Sequence, residues 1–317
     1  MMDRIGLALT AVIAIWVVLF AGDAGDGRPA PLVALVIGFV VAVALGRRLT
    51  RWHRLAAPAL VAVGIAIALL TAGQGLRGSA GAPLGYANAN ANFAALGALA
   101  ALGGAVCSPP IRSGPPDRVV WLILSGLLAI GALIPNSAAG TLSLLAGVAL
   151  VGLALGLRQP RIVVVGGAAV VALMLALTGV IALGGDPAGL SERSGVRGEL
   201  WELATELTED HPWRGIGPGT FAGHNPLAED PDLQWAHNGY LQVAAELGLP
   251  GLGLSLAALA WIYARLWITS SLRAGATATV AGAVTVVALH ATVDYVWHFP
   301  QVMLTVAMLV GWATADP

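Results

Sequence analysis

Residues 235–253 read WAHNGYLQVAAELGLPGLG, and this stretch decides what kind of molecule the chain is. It joins a long polar loop to a hydrophobic run. It opens on the pair His237-Asn238, continues for nine residues to Gly248, and adds Gly251 and Gly253. An ionisable imidazole therefore stands at the mouth of an apolar helix. Polar groups in such a place are costly unless they face protein or water, so they mark a functional hypothesis by default.

Outward from this stretch the chain is apolar. Hydrophobic residues make up 57% of its 317 residues and charged ones only 10%, with a mean hydropathy of +0.81; a soluble globular chain carries about 25% charged residues. The sixteen basic residues are all Arg and the net charge is −1, which offers no basic face for nucleic acid. The single Cys107 excludes an internal disulfide and a CxxC metal site, and reads as a packed thiol. Apolar runs approaching or reaching the roughly 17–25 residues that cross a bilayer recur near 5–21, 31–46, 56–73, 91–107, 118–134, 139–157, 162–184, 249–268, 275–293 and 299–314. The tight turn 135–140 makes the fifth and sixth a hairpin. Residues 21–31 form a poor cleavage site and more spans follow, so the first run reads as a retained span, not a signal peptide. The expected fold class is all-α: one multi-pass membrane domain over 1–317, with about ten transmembrane helices and one large extracytoplasmic loop, 185–236, between the seventh and eighth.

Arginine placement orients this arrangement. With the N-terminus inside and ten crossings, Arg4, Arg47, Arg48, Arg51, Arg54, Arg112, Arg118, Arg158, Arg161, Arg265 and Arg273 fall on the cytoplasmic side. Arg28, Arg77, Arg193, Arg197 and Arg214 fall outside. Eleven inside against five outside satisfies the positive-inside rule. Both termini are then cytoplasmic, in a bacterial plasma membrane. Three of the outer arginines lie in the 185–236 loop, which also holds ten of the seventeen acids.

That loop is too long to be a mere connection and too rich in Trp201, Trp213, Phe221 and Trp235 to be disordered. Val196, Leu200, Leu203, Ala204 and Leu207 form a helical apolar stripe. The spacing predicts an amphipathic helix from Ser191 or Ser194, either of which can cap it, to about Glu209, ended by His211-Pro212. The helix is expected on the membrane surface with tryptophans at the interface. Residues 213–221, WRGIGPGTF, must form a tight turn.

The motifs exclude several chemistries. There is no GxxxxGK[ST] and no Rossmann glycine set, so neither ATP-driven pumping nor a cytoplasmic nucleotide-sugar donor fits. His211, His224 and His237 are thirteen residues apart and match no compact ligand motif, and HExxH is missing, so no metal and no other cofactor is expected. Acid–base and phosphate chemistry fits better. A helix N-terminus disfavours positive charge, and a neutral imidazole accepts a hydroxyl proton, a role that contributes about 10²–10⁴ in rate. Asn238 can orient the ring, cap the helix or hold a substrate hydroxyl; equally, His-Asn can serve as a cap alone. Arg197 can capture a diphosphate, for which guanidinium is suited, or pair with Glu199, Glu202 or Glu206 on a solvated face. Arg193 lies one turn before it. Arg214 can add a contact, and the N–H groups of Gly215, Gly217 and Gly219 can cradle phosphate oxygens.

Several of these residues together resemble the signature region of the O-antigen ligase and polymerase superfamily. They are Arg197 with Trp201, HPWRGIGPGTF (211–221), AHNGYLQ (236–242), and Gly248 and Gly251 after His237-Asn238. HATVDYVWHFPQ (290–301), with Asp294 before Pro300, resembles the last outer loop of the family, and GYANANANFAAL (85–96) the start of its middle membrane helix. The resemblance implies a glycosyltransferase that takes a glycan from a polyprenyl diphosphate at the outer membrane face. It passes that glycan to a hydroxyl of a lipid, glycan or protein acceptor, without metal. His237 matches the essential His proposed to activate the acceptor, and Arg197 an Arg proposed to bind diphosphate. Asp294 or His290 is expected to support the site, and Trp235, Tyr240 and Trp297 to stack on sugars or anchor at the interface. The family's second Arg, in a Ser-Arg context, has no counterpart in PNSAAGTL (135–142); Arg77, Arg193 or Arg214 is left to replace it. A glycan polymerase with the same donor, or a non-enzymatic transporter, is the alternative. The almost wholly apolar mid-span residues speak against transport.

Overall fold

The computed structural model describes residues 2–22, 27–72, 83–108, 116–182 and 195–316. Arg77, Arg193, Ser191 and Ser194 lie outside the described residues. The described chain is helical: α1 (Met2–Leu19), α2 (Pro29–Trp52), α3 (Ala56–Thr71), α4 (Ala87–Cys107), α5 (Pro116–Leu133), α6 (Ala138–Gly156), α7 (Pro160–Ala182), α8 (Val196–Asp210), α9 (Gly239–Thr269), α10 (Ala274–His290) and α11 (Pro300–Ala313). Each of the ten apolar runs overlaps one helix among the described residues. Among the described residues five are long and apolar enough to cross a membrane: those in α2, α4, α6, α7 and α9. The apolar helices α3, α5, α10 and α11 are shorter. The protein is thus a helical membrane protein, of which five helices rather than the expected ten meet the length and apolarity of a span among the described residues. Large apolar side chains such as Val119, Val120, Ile123, Leu127 and Ile130 of α5 are exposed, as expected of a helix that turns them to lipid.

The chain divides into two compact units, each built from separate stretches of sequence. One comprises Phe39–Val170, Ile262–His290 and Val296–Pro317. Its centre is α4, buried along nearly its whole length from Ala89 to Ala105, and α10, buried from Ala276 to Ala288. Alanine and glycine make this possible, because membrane helices gain from close backbone approach. A Cβ on Gly46 would overlap the carbonyl of Met308, and one on Gly311 that of Val43, so α2 and α11 touch backbone to backbone. Buried polar groups pair here too: Asn92 Nδ2 donates to His290 Nδ1 (3.0 Å), and Tyr263 and Thr285 share a 2.8 Å bond. His290, a candidate support for His237, is thus engaged by Asn92.

The other unit comprises Met1–Gly38, Val171–Trp261 and Ala291–Tyr295. The stripe of α8 packs on the loop's own apolar core, where Leu200, Trp201, Ala204, Ile216, Phe221 and Ala245 are buried. This differs from the expected surface-lying helix. Leu200 and Ala204 are covered by protein and Trp201 is a core residue, although Val196 and Trp213 are exposed. The described part of α8 begins after Gly195 (φ 52°); Ser191 and Ser194, expected to cap the helix, lie outside the described residues.

In the same unit α9 is broken. Gly248 has φ 70° and ψ 178°, and Pro250 follows it. Pro250 has no N–H to donate, and the break frees backbone groups that must find partners. They do. The carbonyls of Ala245, Glu246 and Leu247 accept from Ile216 N (2.9 Å), Gly217 N (3.0 Å) and Trp16 Nε1 (3.0 Å), while Leu249 N donates to the Pro212 carbonyl (2.8 Å). The glycine turn 213–221 is therefore docked onto the break in α9. A Cβ on Gly248 would stand 2.7 Å from the Trp213 carbonyl group, and one on Gly215 would overlap the Glu246 backbone.

Candidate functional site

The site lies in the second of these units, where α9 begins. Asn238 precedes its first residue, Gly239. Asn238 Oδ1 accepts from Tyr240 N (3.0 Å) and Leu241 N (3.1 Å), satisfying donors that a helix start leaves over. Its Nδ2 donates to the Thr292 carbonyl (2.8 Å). Of the roles the sequence allowed, the cap is the one formed: the amide ties α9 to the segment 291–295, and it is buried.

His237 sits in the left-handed region, φ 49°, at a cost of roughly 1–2 kcal/mol for a residue with a Cβ. Such a conformation persists only where the surroundings enforce it. Ala236 N donates to Gln242 Oε1 (2.8 Å), Trp201 Nε1 to the His237 carbonyl (3.3 Å), and Gly239 N to the carbonyls of Ala291 (2.8 Å) and Asp294 (2.9 Å). The imidazole is buried. Its Nε2 is 2.7 Å from the Asp232 carbonyl. A carbonyl only accepts, so Nε2 carries a proton and the neutral ring has its lone pair on Nδ1.

Nδ1 faces Asp294 Oδ2 at 3.9 Å, and Arg197 Nη2 faces the same oxygen at 3.7 Å. Arg197 Nη1 also donates to the Val293 carbonyl (3.2 Å). The Asp294 side chain is fully buried, whereas that of Arg197 is 38% exposed and forms the face of the group open to solvent. Asp294 Oδ1 accepts from Tyr295 N (2.7 Å), and the Tyr295 ring stands edge-on to His237, centroids 5.0 Å apart. Trp235 lies tilted against Tyr295 at 5.9 Å. Three separate segments thus converge: α8 brings the guanidinium, the start of α9 the imidazole, and 291–295 the carboxylate between them.

Other candidates are placed elsewhere in the unit. Arg214 is exposed; its Nε donates to the Phe20 carbonyl (2.9 Å) and its carbonyl accepts from Gly22 N (2.7 Å), so it ties the turn to the end of α1. The expected phosphate cradle is already filled. Gly215 N donates to the His211 carbonyl (2.9 Å), Gly217 N to the Glu246 carbonyl (3.0 Å) and Gly219 N to Glu246 Oε2 (2.8 Å). The physical reason is the broken helix and a buried acid, which take these donors. Glu246 is the residue that sequence reasoning passed over. It also accepts from Phe221 N (3.3 Å) and Gln242 Nε2 (2.9 Å) at Oε1. A lone acid inside AAELG was the available signal. Arg28, His211 and His224 line a cleft of about 550 Å³ beside the turn, and among the described residues no three His, Cys, Asp or Glu side chains are grouped to hold a metal. Tyr240, one of the stacking candidates, is buried.

Two comparisons bear on this arrangement. A family model described as O-antigen ligase matches residues 123–256, a stretch that runs from within α5 to just past the break in α9 and includes Arg197, His237 and Asn238. No curated protein matches the chain.

Proposed function

We propose that this chain, whose residues 123–256 match a family model described as O-antigen ligase, moves a glycan from a polyprenyl-diphosphate donor to an acceptor hydroxyl at the outer face of the bacterial plasma membrane. The ligase domain supports a glycan-transfer role of the ligase or polymerase type. The observation that carries the finer reading is the shared carboxylate: Asp294 Oδ2 faces Arg197 at 3.7 Å and His237 at 3.9 Å. A cation suited to diphosphate and a proton acceptor are thereby held side by side.

In this reading the polyprenyl tail stays in lipid while the diphosphate meets the exposed part of Arg197. The acceptor hydroxyl approaches His237 and gives its proton to Nδ1 as its oxygen bonds the anomeric carbon. The bond from that carbon to the phosphate oxygen breaks. Arg197 stabilises the charge that grows on the departing diphosphate, an effect typically of about 10²–10³ in rate per donor. Asp294 stabilises the imidazolium that forms at Nδ1 and orients both cations. Arg193, four residues before Arg197, and Arg77 are the further cations this reading assigns to the donor. No metal is required.

The test is transfer by the purified, detergent-solubilised protein. A labelled polyprenyl-diphosphate oligosaccharide is offered with extracts of candidate acceptors, to wild type, His237→Ala and Arg197→Ala, with EDTA in one arm. The expected outcome is transfer that both substitutions abolish and EDTA leaves intact. Full activity in folded His237→Ala would remove it as the base, and no transfer to any acceptor would shift weight to a transporter.

A further inference from the structure

The buried side chains of Gln242 and Glu246 form a chain of hydrogen bonds with an unusual end condition. At one end the donor is Ala236 N, which gives to Gln242 Oε1 (2.8 Å). Gln242 Nε2 then gives to Glu246 Oε1 (2.9 Å). At the other end the donors are Gly219 N (2.8 Å) and Phe221 N (3.3 Å), which give to Glu246. Both ends are backbone donors. A glutamine passes polarity along, accepting on one side and donating on the other. Such a chain closes only if one member accepts on both sides, and among side chains here only a carboxylate does. Glutamine at position 246 would leave two donors facing each other somewhere along the chain, whichever way the amides flip.

One end of this chain is the residue immediately before His237, whose left-handed backbone must be enforced by its neighbours. The other end is the glycine turn that is docked on the break in α9. We infer that Glu246, acting through Gln242, is a positioning residue that holds His237 in its strained conformation and locks the glycine turn to the same helix. This rests on the reading of His237 as the base. Glu246 touches no substrate; its role is to specify where the imidazole points.

The polarity argument supplies its own test. Exchanging the two residues, Gln242→Glu with Glu246→Gln, restores a workable chain at the expense of the longer Phe221 contact (3.3 Å): the carboxylate accepts from Ala236 N and from the new amide, whose oxygen accepts from Gly219 N. Transfer from the labelled polyprenyl-diphosphate oligosaccharide is measured as kcat and donor KM, together with thermal midpoints, for wild type, Glu246→Gln, Gln242→Met and the exchange. Glu246→Gln is expected to lower kcat about tenfold or more while donor KM holds, since small misplacement of a reacting group is costly. Gln242→Met removes both bonds of Gln242, from Ala236 N and to Glu246, while leaving Glu246 its Gly219 and Phe221 donors, and is expected to lower kcat in a protein that still folds. The exchange is expected to recover most of the kcat, a coupling that independent sites do not show. Wild-type kcat in folded Glu246→Gln or Gln242→Met, or an exchange no better than Glu246→Gln alone, would overturn the inference. If wild type transfers nothing, the functional reading fails separately, and the thermal midpoints still decide whether positions 242 and 246 are coupled.

Discussion

The two units solve the problem of burying backbone in opposite ways. In the unit around α4 and α10, helices stay regular and small residues let them close on one another, as where Gly46 and Gly311 admit the carbonyls of Met308 and Val43. Along α4 and α10 the backbone bonds run within each helix. In the unit that holds His237, α9 is interrupted at Gly248, and its carbonyls are met by Ile216, Gly217 and Trp16. Irregular backbone is tolerated in a buried place only where its polar groups find partners. The difference teaches where chemistry is built. Regular packing needs no ionisable group, whereas the break and the loop docked on it gather Glu246, His237, Asp294 and Arg197 in one unit.

The sharpest way to break this contrast is at the imidazole. His237→Ala should cost glycan transfer about 10²-fold or more with little loss of thermal stability; equal losses in both would make His237 a structural residue. Next comes the interruption itself. Gly248→Ala must accept φ 70° and a Cβ at 2.7 Å from the Trp213 carbonyl group, so about 3 kcal/mol or more of stability should go, and transfer with it. A smaller effect on transfer is expected in the other unit. Gly311→Val pushes a side chain into the Val43 carbonyl and should cost about 1–3 kcal/mol while transfer per folded molecule is kept. Loss of transfer in that variant would blur the division of labour. The smallest effect belongs to Arg214→Ala. It removes one exposed bond to the Phe20 carbonyl, worth about 0.5–1.5 kcal/mol, and donor KM should stay at its wild-type value. A raised donor KM would return Arg214 to the diphosphate site.

Much of this was legible in the chain as written. The apolar runs overlap helices among the described residues, five of them long and apolar enough to cross a membrane, and Val196–Asp210 is a helix as the stripe of Leu200, Ala204 and Leu207 required. The His-Asn pair was legible as a helix start because a cap is a local arrangement, made within three residues. Gly248 stood out by its spacing, but its meaning did not, since a glycine can serve a turn, a close approach or a phosphate. The glycines 215, 217 and 219 were read as a cradle for a ligand's anion, when the acceptors were His211 and Glu246 of the chain itself. Asn238 was left between three roles and is taken up by capping and by Thr292.

What the sequence alone determined is the periodic part: a helical membrane protein, its apolar segments and its amphipathic loop helix. These follow from short-range pattern, because helix formation and lipid burial depend on residues within a turn or a span of each other. What only the tertiary structure decided is which polar groups meet. Asp294 reaches Arg197 and His237 across 97 and 57 positions of chain. Glu246 closes a donor-ended chain that begins at Ala236, and a helix breaks because another segment is there to receive its carbonyls. Buried polar groups must be paired, but the rule does not name the partner; only the fold supplies it.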